Sequence, residues 1–391
     1  MTAALSPYRR VPADPSELFD AAEIEESRRY NRPQERLRLV RYVLTTAVML
    51  AFVFGDGAPR LLDALDVKGW ALQVVVVLGA ILVLDLGIAT WFDAHKDLVW
   101  DRQWGISTQS VRGFVVDVVK NLLLSLVLTA ALLVPLWAIV RWTDAWWLLG
   151  WLVFAGINVG IGVLYPVLIA PLFNTFTPMA DESLRGRLLG VAERCGLDVR
   201  EVLVADASKR SRGGNAYVAG MGRTRRVVVF DTILDWPEAT IANVTAHELG
   251  HWKHKHIRRR VPLILGVLLV QMILTYLVLQ WDWLLESAGV EELGDPAALP
   301  LFFLVFPLGA MLTTLVSSWL SRADERAADI YALETMRDPD AFEDTFRRLA
   351  DTNKADVDPP LWKRVTASHP PIPERLAMGR RWKADQAPSS S

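Results

Sequence analysis

The chain has 391 residues, 52% of them hydrophobic and 16 of them Trp, with a mean hydropathy of +0.24. Because the apolar residues fall in long blocks, this composition indicates a protein that crosses a membrane several times and excludes a single large soluble core. The net charge of −2 gives no sign of nucleic-acid binding, and the single cysteine, Cys195, excludes an intrachain disulfide and a metal site made of several cysteines.

Residues 1–38 are polar and carry charges of both signs, which predicts an interfacial or soluble helix at the membrane surface behind a flexible tail. About six apolar blocks follow, and each approaches the roughly 20 residues that a spanning helix needs. Four blocks lie within residues 39–173 and two within residues 261–320. They are 39–56, 70–92, 119–140, 146–173, 261–284 and 299–320.

The basic residues predict the orientation in the membrane. With the N-terminus inside, the three predicted outer loops contain only Arg60, Lys68 and Arg141, and nearly all other Lys and Arg fall in inner segments. The positive-inside rule then places both termini and residues 174–260 in the cytoplasm. We therefore expect a multi-pass protein of the inner (plasma) membrane.

Residues 174–260 predict a small cytoplasmic α+β domain. Helical spacing from 184 to 195 precedes two short strands at 201–205 and 226–231, and a helix that begins near Pro237 could run straight into the fifth span. Residues 321–391 are predicted to be helical at first and loop-rich later, with a disordered end. The predicted fold class is thus mainly α, a polytopic helical membrane protein with a small α+β domain.

An H-E-x-x-H motif, formed by His247, Glu248 and His251, lies on the helix that begins near Pro237. Positions four apart share one face of a helix, so both imidazoles can bind one zinc ion, and Glu248 can accept a proton from water there. A catalytic zinc site needs a third protein ligand. His254 and His256, just beyond the motif, suggest either a second metal site or, as we favour, a basic helix end.

The candidate for the third ligand is Glu325, in a charged stretch that directly follows the sixth span. Asp329, four residues on, shares its helix face and could hold a zinc-bound imidazole. An ordinary charged helix at the membrane surface is the alternative. Because the chain also contains the H-E-x-x-H motif, we favour the interpretation of Glu325 as the third zinc ligand.

Several further motifs complete a resemblance that runs in order from about residue 15 to residue 378. The chain resembles the integral-membrane zinc metalloproteases typified by the type I CAAX prenyl proteases, the a-factor-converting-enzyme family, as a bacterial member. The residues that carry it are Ala170 to Asn174, Phe176 to Pro178, Ser208 to Ser211, Asn215 to Tyr217, Val229 to Thr232, His247 to His256, Ser321 to Asp329, and Ser368 to Pro371.

By this resemblance, the protein is a zinc metalloendopeptidase with a gluzincin-like catalytic domain and one zinc ion per chain. The implied ligands are His247, His251 and Glu325, with Glu248 as general base. The other implied site residues are Asp329, which supports the metal site, Asn215, which holds the substrate backbone, and His369, which steadies the oxyanion. From the residues alone, His369 would be taken for a surface histidine.

The expected partners are a lipid bilayer and a peptide or protein substrate that could be lipid-modified; the sequence does not give the oligomeric state. Eukaryotic members of the family have seven spans and cleave prenylated C-termini, whereas six spans are expected here, without a counterpart of the first. One alternative is a quality-control protease similar to the heat-shock membrane metalloproteases. A second, less favoured alternative is a non-catalytic membrane binding protein or transporter, against which the lack of an internal repeat argues.

Overall fold

The computed structural model of the protein describes residues 13–220 and 225–386, so the two predicted tails lie partly outside the described residues. The described part is mainly helical. Its α-helices are α1 (Ala21–Phe54), α2 (Gly57–Ala64), α3 (Trp70–Ala94), α4 (Asp101–Gln103), α5 (Val111–Trp142), α6 (Trp146–Leu164), α7 (Ala170–Phe173), α8 (Glu182–Arg194), α9 (Glu238–Lys253), α10 (His256–Leu279), α11 (Asp282–Ser287), α12 (Leu299–Met336), α13 (Pro339–Thr352), α14 (Leu361–Thr366) and α15 (Ile372–Gln386).

Five helical segments of the described chain are long and apolar enough to cross a membrane, and each overlaps one predicted span, although the predicted spans 39–56 and 261–284 extend beyond their helices, which end at Phe54 and Leu279. The five segments are Ala21–Phe54, Trp70–Gln103, Val111–Trp142, His256–Leu279 and Pro296–Met336. The remaining predicted span, 146–173, is not one continuous α-helix. It consists of the shorter apolar helix α6, a π-helical turn at Tyr165–Ile169 and the short helix α7.

Helix α1 contains both the predicted surface helix and the first span in 34 residues. Its polar first half packs against the segment 353–363 in the C-terminal part of the chain. The Ser27 hydroxyl donates to the Ala355 carbonyl at 3.1 Å, and Glu35 forms an ion pair with Lys363 at 2.7 Å. These contacts join a membrane-spanning helix to the C-terminal part.

The small sheet contains β1 (Phe176–Pro178), β2 (Glu201–Ala205), β3 (Ala216–Ala219) and β4 (Arg226–Phe230) in the order β1-β2-β4-β3. β2 and β4 are the two predicted strands; they pair in parallel, and β1 and β3 are antiparallel edge strands. Asn215 immediately precedes β3, and its carbonyl accepts the Phe230 N–H at 3.0 Å. One edge of the sheet is therefore formed by the strand that follows Asn215.

Helix α9 carries the H-E-x-x-H motif and packs between the sheet and α12. A Cβ atom added at Gly250 would lie 3.2 Å from the Ala328 Cα atom and 3.1 Å from the Tyr331 ring. The glycine inside the motif thus allows the backbones of α9 and α12 to approach closely. This approach brings the motif next to the residues around Glu325.

The expectation that this helix runs straight into the fifth span is wrong. α9 ends at Lys253, Lys255 adopts φ 55° and ψ 38°, and α10 begins at His256. A non-glycine residue in the left-handed region is uncommon and breaks the helical path. By contrast, the predicted continuation of the sixth span is present, because α12 runs without interruption for 38 residues.

Candidate metal centre and active site

Three side chains from α9 and α12 converge on one point. His247 and His251 lie one turn apart on α9, and their Nε2 atoms are 3.2 Å from each other. The Glu325 carboxylate on α12 faces both rings, with Oε2 3.3 Å from His247 Nε2 and Oε1 3.3 Å from His251 Nε2. All three ligand atoms lie within 4.8 Å of one another, a spacing that could hold a metal ion.

Asp329 lies one helical turn beyond Glu325 and contacts the other nitrogen of His247. Its Oδ1 atom is 2.8 Å from His247 Nδ1, so it accepts that N–H and leaves Nε2 free to face Glu325. Asp329 is fully buried, and the Arg375 guanidinium from α15 forms two hydrogen bonds with its carboxylate. The structure therefore holds His247 through a buried carboxylate, which in turn has its own cation.

Glu248 lies beside the cluster and faces a cavity of about 600 Å³. The cavity is also lined by His247 and by two other predicted site residues, Asn215 and His369. Apolar side chains, among them Trp236 and Phe346, line much of the rest, so the cavity can hold a chain with apolar side chains. The predicted base, metal ligand, edge residue and histidine thus share one cavity.

His369 approaches the metal cluster from the loop between α14 and α15. Its Nδ1 atom is 2.8 Å from Glu325 Oε2, although 62% of the side chain is exposed. Two residues of α12 fix this loop: Arg322 donates to the carbonyls of Val365 and Ala367, and the Ser318 hydroxyl donates to the Thr366 carbonyl at 2.7 Å. The same helix that carries Glu325 therefore positions the loop of His369.

The basic loop at 208–212 is tied to a membrane helix. Arg210 forms a two-pronged ion pair with Asp117 of α5, at 2.6 Å and 2.8 Å, and donates to the carbonyl of Phe173. Ser208 hydrogen-bonds to Asp231 through both its N–H and its hydroxyl. The sequence is compatible with either a substrate-side loop or a solvated turn at this place. In the structure the Arg210 charge forms an ion pair with Asp117 in the membrane part of the chain.

The electrostatics of the cluster favour a positive charge. Burial opposes the charged form of His247, but hydrogen bonds to Asp329 and Glu325 outweigh burial and raise the pKa of His247 to about 10. Burial also raises the pKa of the Glu248 carboxyl above its usual value. The carboxylates of Asp329 and Glu325 thus stabilise a positive charge at the point where the two imidazoles converge.

Arg375 is the residue of the site that our reasoning from sequence missed. It lies among the buried residues of α15, in line with Gly379 and Trp382, and its guanidinium is 3.9 Å from the centre of the Phe346 ring. The sequence did carry a signal for it, since Arg375 occupies a position on the apolar face of a helix. A charged side chain is buried at such a position only when it is paired with an opposite charge.

Comparison with known proteins shows the family of the chain. Residues 178–383 match the model of peptidase family M48, and residues 3–175 match a model described as CAAX prenyl protease N-terminal, five membrane helices. The chain belongs to peptidase family M48. It is therefore a multi-pass membrane metalloprotease, with a bilayer and a peptide substrate as its partners.

Individual M48 relatives match almost the whole chain. The metalloprotease YhfN of Bacillus subtilis is 28% identical over 383 residues, which cover 93% of this chain and 87% of that protein. CAAX prenyl protease 1 of Saccharomyces cerevisiae is 28% identical over 407 residues, covering 94% and 88%. The crystal structure of S. mikatae Ste24p shares the fold, with a TM-score of 0.81 at 22% identity and coverage of 94% and 91%.

The family implies a bound metal, and the residues fit one. The converging atoms are two imidazole nitrogens and a carboxylate oxygen, a donor set that suits divalent metals. Glu325 Oε2 is buried, and its contacts with His369 Nδ1 at 2.8 Å and His247 Nε2 at 3.3 Å do not have hydrogen-bond geometry among the described residues. A buried carboxylate oxygen left in this state is costly unless a cation satisfies it.

Proposed function

We propose that the protein is a zinc-dependent endopeptidase with one zinc ion per chain, held by His247, His251 and Glu325. The carrying observation is the spacing of these side chains: the two histidine Nε2 atoms are 3.2 Å apart, and each lies 3.3 Å from one of the two oxygens of the Glu325 carboxylate. Tetrahedral zinc with bonds of about 2.0–2.1 Å separates its ligands by roughly 3.3 Å. Three ligands leave one position of a tetrahedron open, as catalytic zinc requires.

Each remaining site residue has a distinct role in the proposed reaction. When bound, zinc polarises the scissile carbonyl and makes water more acidic. Glu248 accepts the proton of the attacking water and passes it to the leaving amine. His369 hydrogen-bonds to the oxygen on which charge develops, and Asp329 keeps His247 in the tautomer that presents Nε2 to the metal.

The substrate is proposed to bind as an extended peptide along the edge strand β3, beside Asn215. An edge strand offers unpaired N–H and C=O groups to a peptide in the cavity, and the Asn215 side chain can hold the peptide backbone. Support comes from the position of Asn215, exposed at the start of β3 and on the wall of the cavity that contains Glu248. This arrangement favours endopeptidase cleavage of a chain that passes across the metal.

We further propose that the substrate is lipid-modified and is cleaved on the cytoplasmic side of the inner membrane. The names of relatives aligned over more than nine-tenths of this chain, among them yeast CAAX prenyl protease 1, support the first point. The distribution of basic residues supports the second. The alternation of apolar blocks and polar segments supports a division of the chain into five parts, 1–38, 39–173, 174–260, 261–320 and 321–391. The boundary between the second and third parts lies close to the point, between residues 175 and 178, where the two family models meet.

The test compares a farnesylated CAAX peptide with its unprenylated twin, using purified protein and the Glu248→Gln variant as control. Cleavage of only the lipidated peptide, lost in the variant, is the expected result. Equal cleavage of both peptides would contradict lipid specificity and point to general quality-control proteolysis. Cleavage that persists in Glu248→Gln would contradict the proposed base.

A further inference from the structure

The break between α9 and α10 turns one more histidine towards the metal cluster. His251 and His256 are five residues apart, so on an unbroken helix their side chains would point about 140° apart around the axis. The left-handed conformation of Lys255 interrupts the helix immediately before His256. As a result His256 is only 3% exposed, and its Nδ1 atom lies 2.9 Å from His251 Nδ1.

The proton positions in this contact follow from the direction of the His251 ring. Its Nε2 atom faces the cluster, 3.3 Å from Glu325 Oε1, so Nδ1 must carry the proton when Nε2 binds a metal. That proton needs an acceptor, and His256 Nδ1 lies at hydrogen-bond distance from it. A neutral His256 can accept it only if its own proton is on Nε2.

The surroundings of His256 suit that tautomer. Its Nε2 atom points towards Asp324 of α12, with 3.6 Å to Oδ1, and the other oxygen of Asp324 accepts a hydrogen bond from Arg260 of α10. An acceptor therefore faces the proton on Nε2, and a cation holds that acceptor. The contacts run in the order Arg260, Asp324, His256, His251, so they connect the start of α10 and the extension of α12 that carries Asp324 to the cluster.

We propose that His256 is a positioning residue for the metal centre, which accepts the Nδ1–H of His251 and fixes the orientation of its ring. It serves His251 as Asp329 serves His247, but with a neutral imidazole in place of a carboxylate. The inference rests on the proposed metal site. It also assigns His256 a role other than ligand of a second metal, since both its nitrogens face partners and the metal-compatible group found among the described residues contains only His247, His251 and Glu325.

Two amide substitutions separate this role from simple packing. In His256→Asn the side-chain oxygen can occupy the position of Nδ1, so the acceptor for His251 is kept. In His256→Gln the amide extends to the level of Nε2, so that acceptor is lost although the residue stays polar. His254→Asn is the matched control for packing, because the His254 ring stacks on the His256 ring with centroids 5.5 Å apart but makes no hydrogen bond among the described residues.

The experiment measures the affinity for Zn²⁺ by competition with a chromophoric chelator, and the unfolding temperature of the metal-free proteins. Loss of a partner that orients a ligand typically weakens metal binding 10- to 100-fold. We expect a loss of this size for His256→Gln, with an affinity within about threefold of the parent for His256→Asn and His254→Asn. The metal-free unfolding temperatures should agree between the Asn and Gln variants.

The outcomes distinguish the two proposals. If the parent protein binds no Zn²⁺, the proposed metal site itself fails. If the parent binds Zn²⁺ and His256→Gln binds it equally well, only the role of His256 is overturned. A folded His256→Asn protein with a 100-fold weaker affinity would overturn that role as well, so the role can be refuted even if His256→Gln does not fold.

Discussion

Arg375 donates its Nε–H to Asp329 Oδ2 at 2.8 Å, and a second bond from the same guanidinium reaches Oδ1, with both side chains buried. The pair lies directly behind His247, which contacts Asp329 through Nδ1. Because Asp329 is fully buried, its negative charge depends on a cation at this place. The orientation of His247, a proposed metal ligand, thus depends on Arg375, which lies 46 positions after Asp329 in the chain.

Replacing Arg375 with Ala should strongly destabilise the protein, because it leaves a buried carboxylate without its cation. Removing one partner of a buried pair costs about 3–5 kcal/mol, whereas exposed pairs contribute about 0–1 kcal/mol. The matched control is Arg380→Ala, on the same helix α15, which breaks a more exposed ion pair with Glu343 of α13. Denaturant unfolding in detergent micelles measures both variants. Equal losses would mean that the buried pair has no special role.

The Glu248→Gln variant should bind zinc as tightly as the parent but lose most of its activity. The amide cannot accept a proton, and a positioned acid or base contributes about 10²–10⁴ in rate. Glu238→Gln, in the first turn of the same helix, should keep full activity. Zinc content by atomic absorption and the rate of peptide cleavage are the two readouts. A Glu248→Gln enzyme with a near-normal rate would require another base.

Glu325→Ala should lose the metal itself. Two histidines alone leave a zinc site short of its third protein ligand, so the purified variant should contain far less than one zinc per chain. Glu334→Ala is the control, since Glu334 is an exposed residue of the same helix. Full zinc occupancy in Glu325→Ala would remove Glu325 from the ligands and leave the two histidines in need of another partner.

Much of the site could be predicted because it depends on local periodicity. The spacing of His247 and His251 places them on one helix face wherever that helix lies, and the uninterrupted polar stretch after the sixth span continues α12 to Glu325. Their roles as ligands remain predictions. The family resemblance supplied Asn215 and His369, which the residues alone would not have indicated.

The features that sequence did not predict are set by tertiary packing. Lysine has no tendency to end a helix, so nothing in the sequence marked Lys255 as the break that turns His256. The proximity of His369 to Glu325 depends on the hydrogen bonds of Arg322 to the loop, which join residues more than forty positions apart. The interruption of the fourth predicted span at Tyr165 coincides with Pro166, which lacks a backbone N–H; this signal was available in the sequence but was not used, because the block was assigned from its hydrophobicity alone.

Arg322→Ala should lower activity while zinc content stays unchanged. Arg322 holds the loop of His369 through the carbonyls of Val365 and Ala367 but does not contact the metal cluster. A displacement of about 1 Å at a catalytic group can reduce the rate about 100-fold, so we expect a decrease in kcat of about 10- to 100-fold. Arg381→Ala, on the exposed side of α15, should leave kcat unchanged. Loss of zinc in Arg322→Ala would instead indicate a disturbed α12.

The ion pair of Asp117 with Arg210 should couple a membrane helix to the substrate side of the sheet. Arg210 also donates to the Phe173 carbonyl, so it fixes the loop before β3 against α5 and the end of α7. We expect Asp117→Asn to raise KM and to retain zinc, because the proposed peptide-binding edge shifts and the proposed metal ligands do not. A double-mutant cycle with Arg210→Gln, read as changes in kcat/KM, should give a coupling energy of about 0.5–3 kcal/mol, as contacting residues do. Strictly additive effects would show that the two sides of the pair act independently, and the position of the peptide-binding edge would then have to be set by the sheet alone.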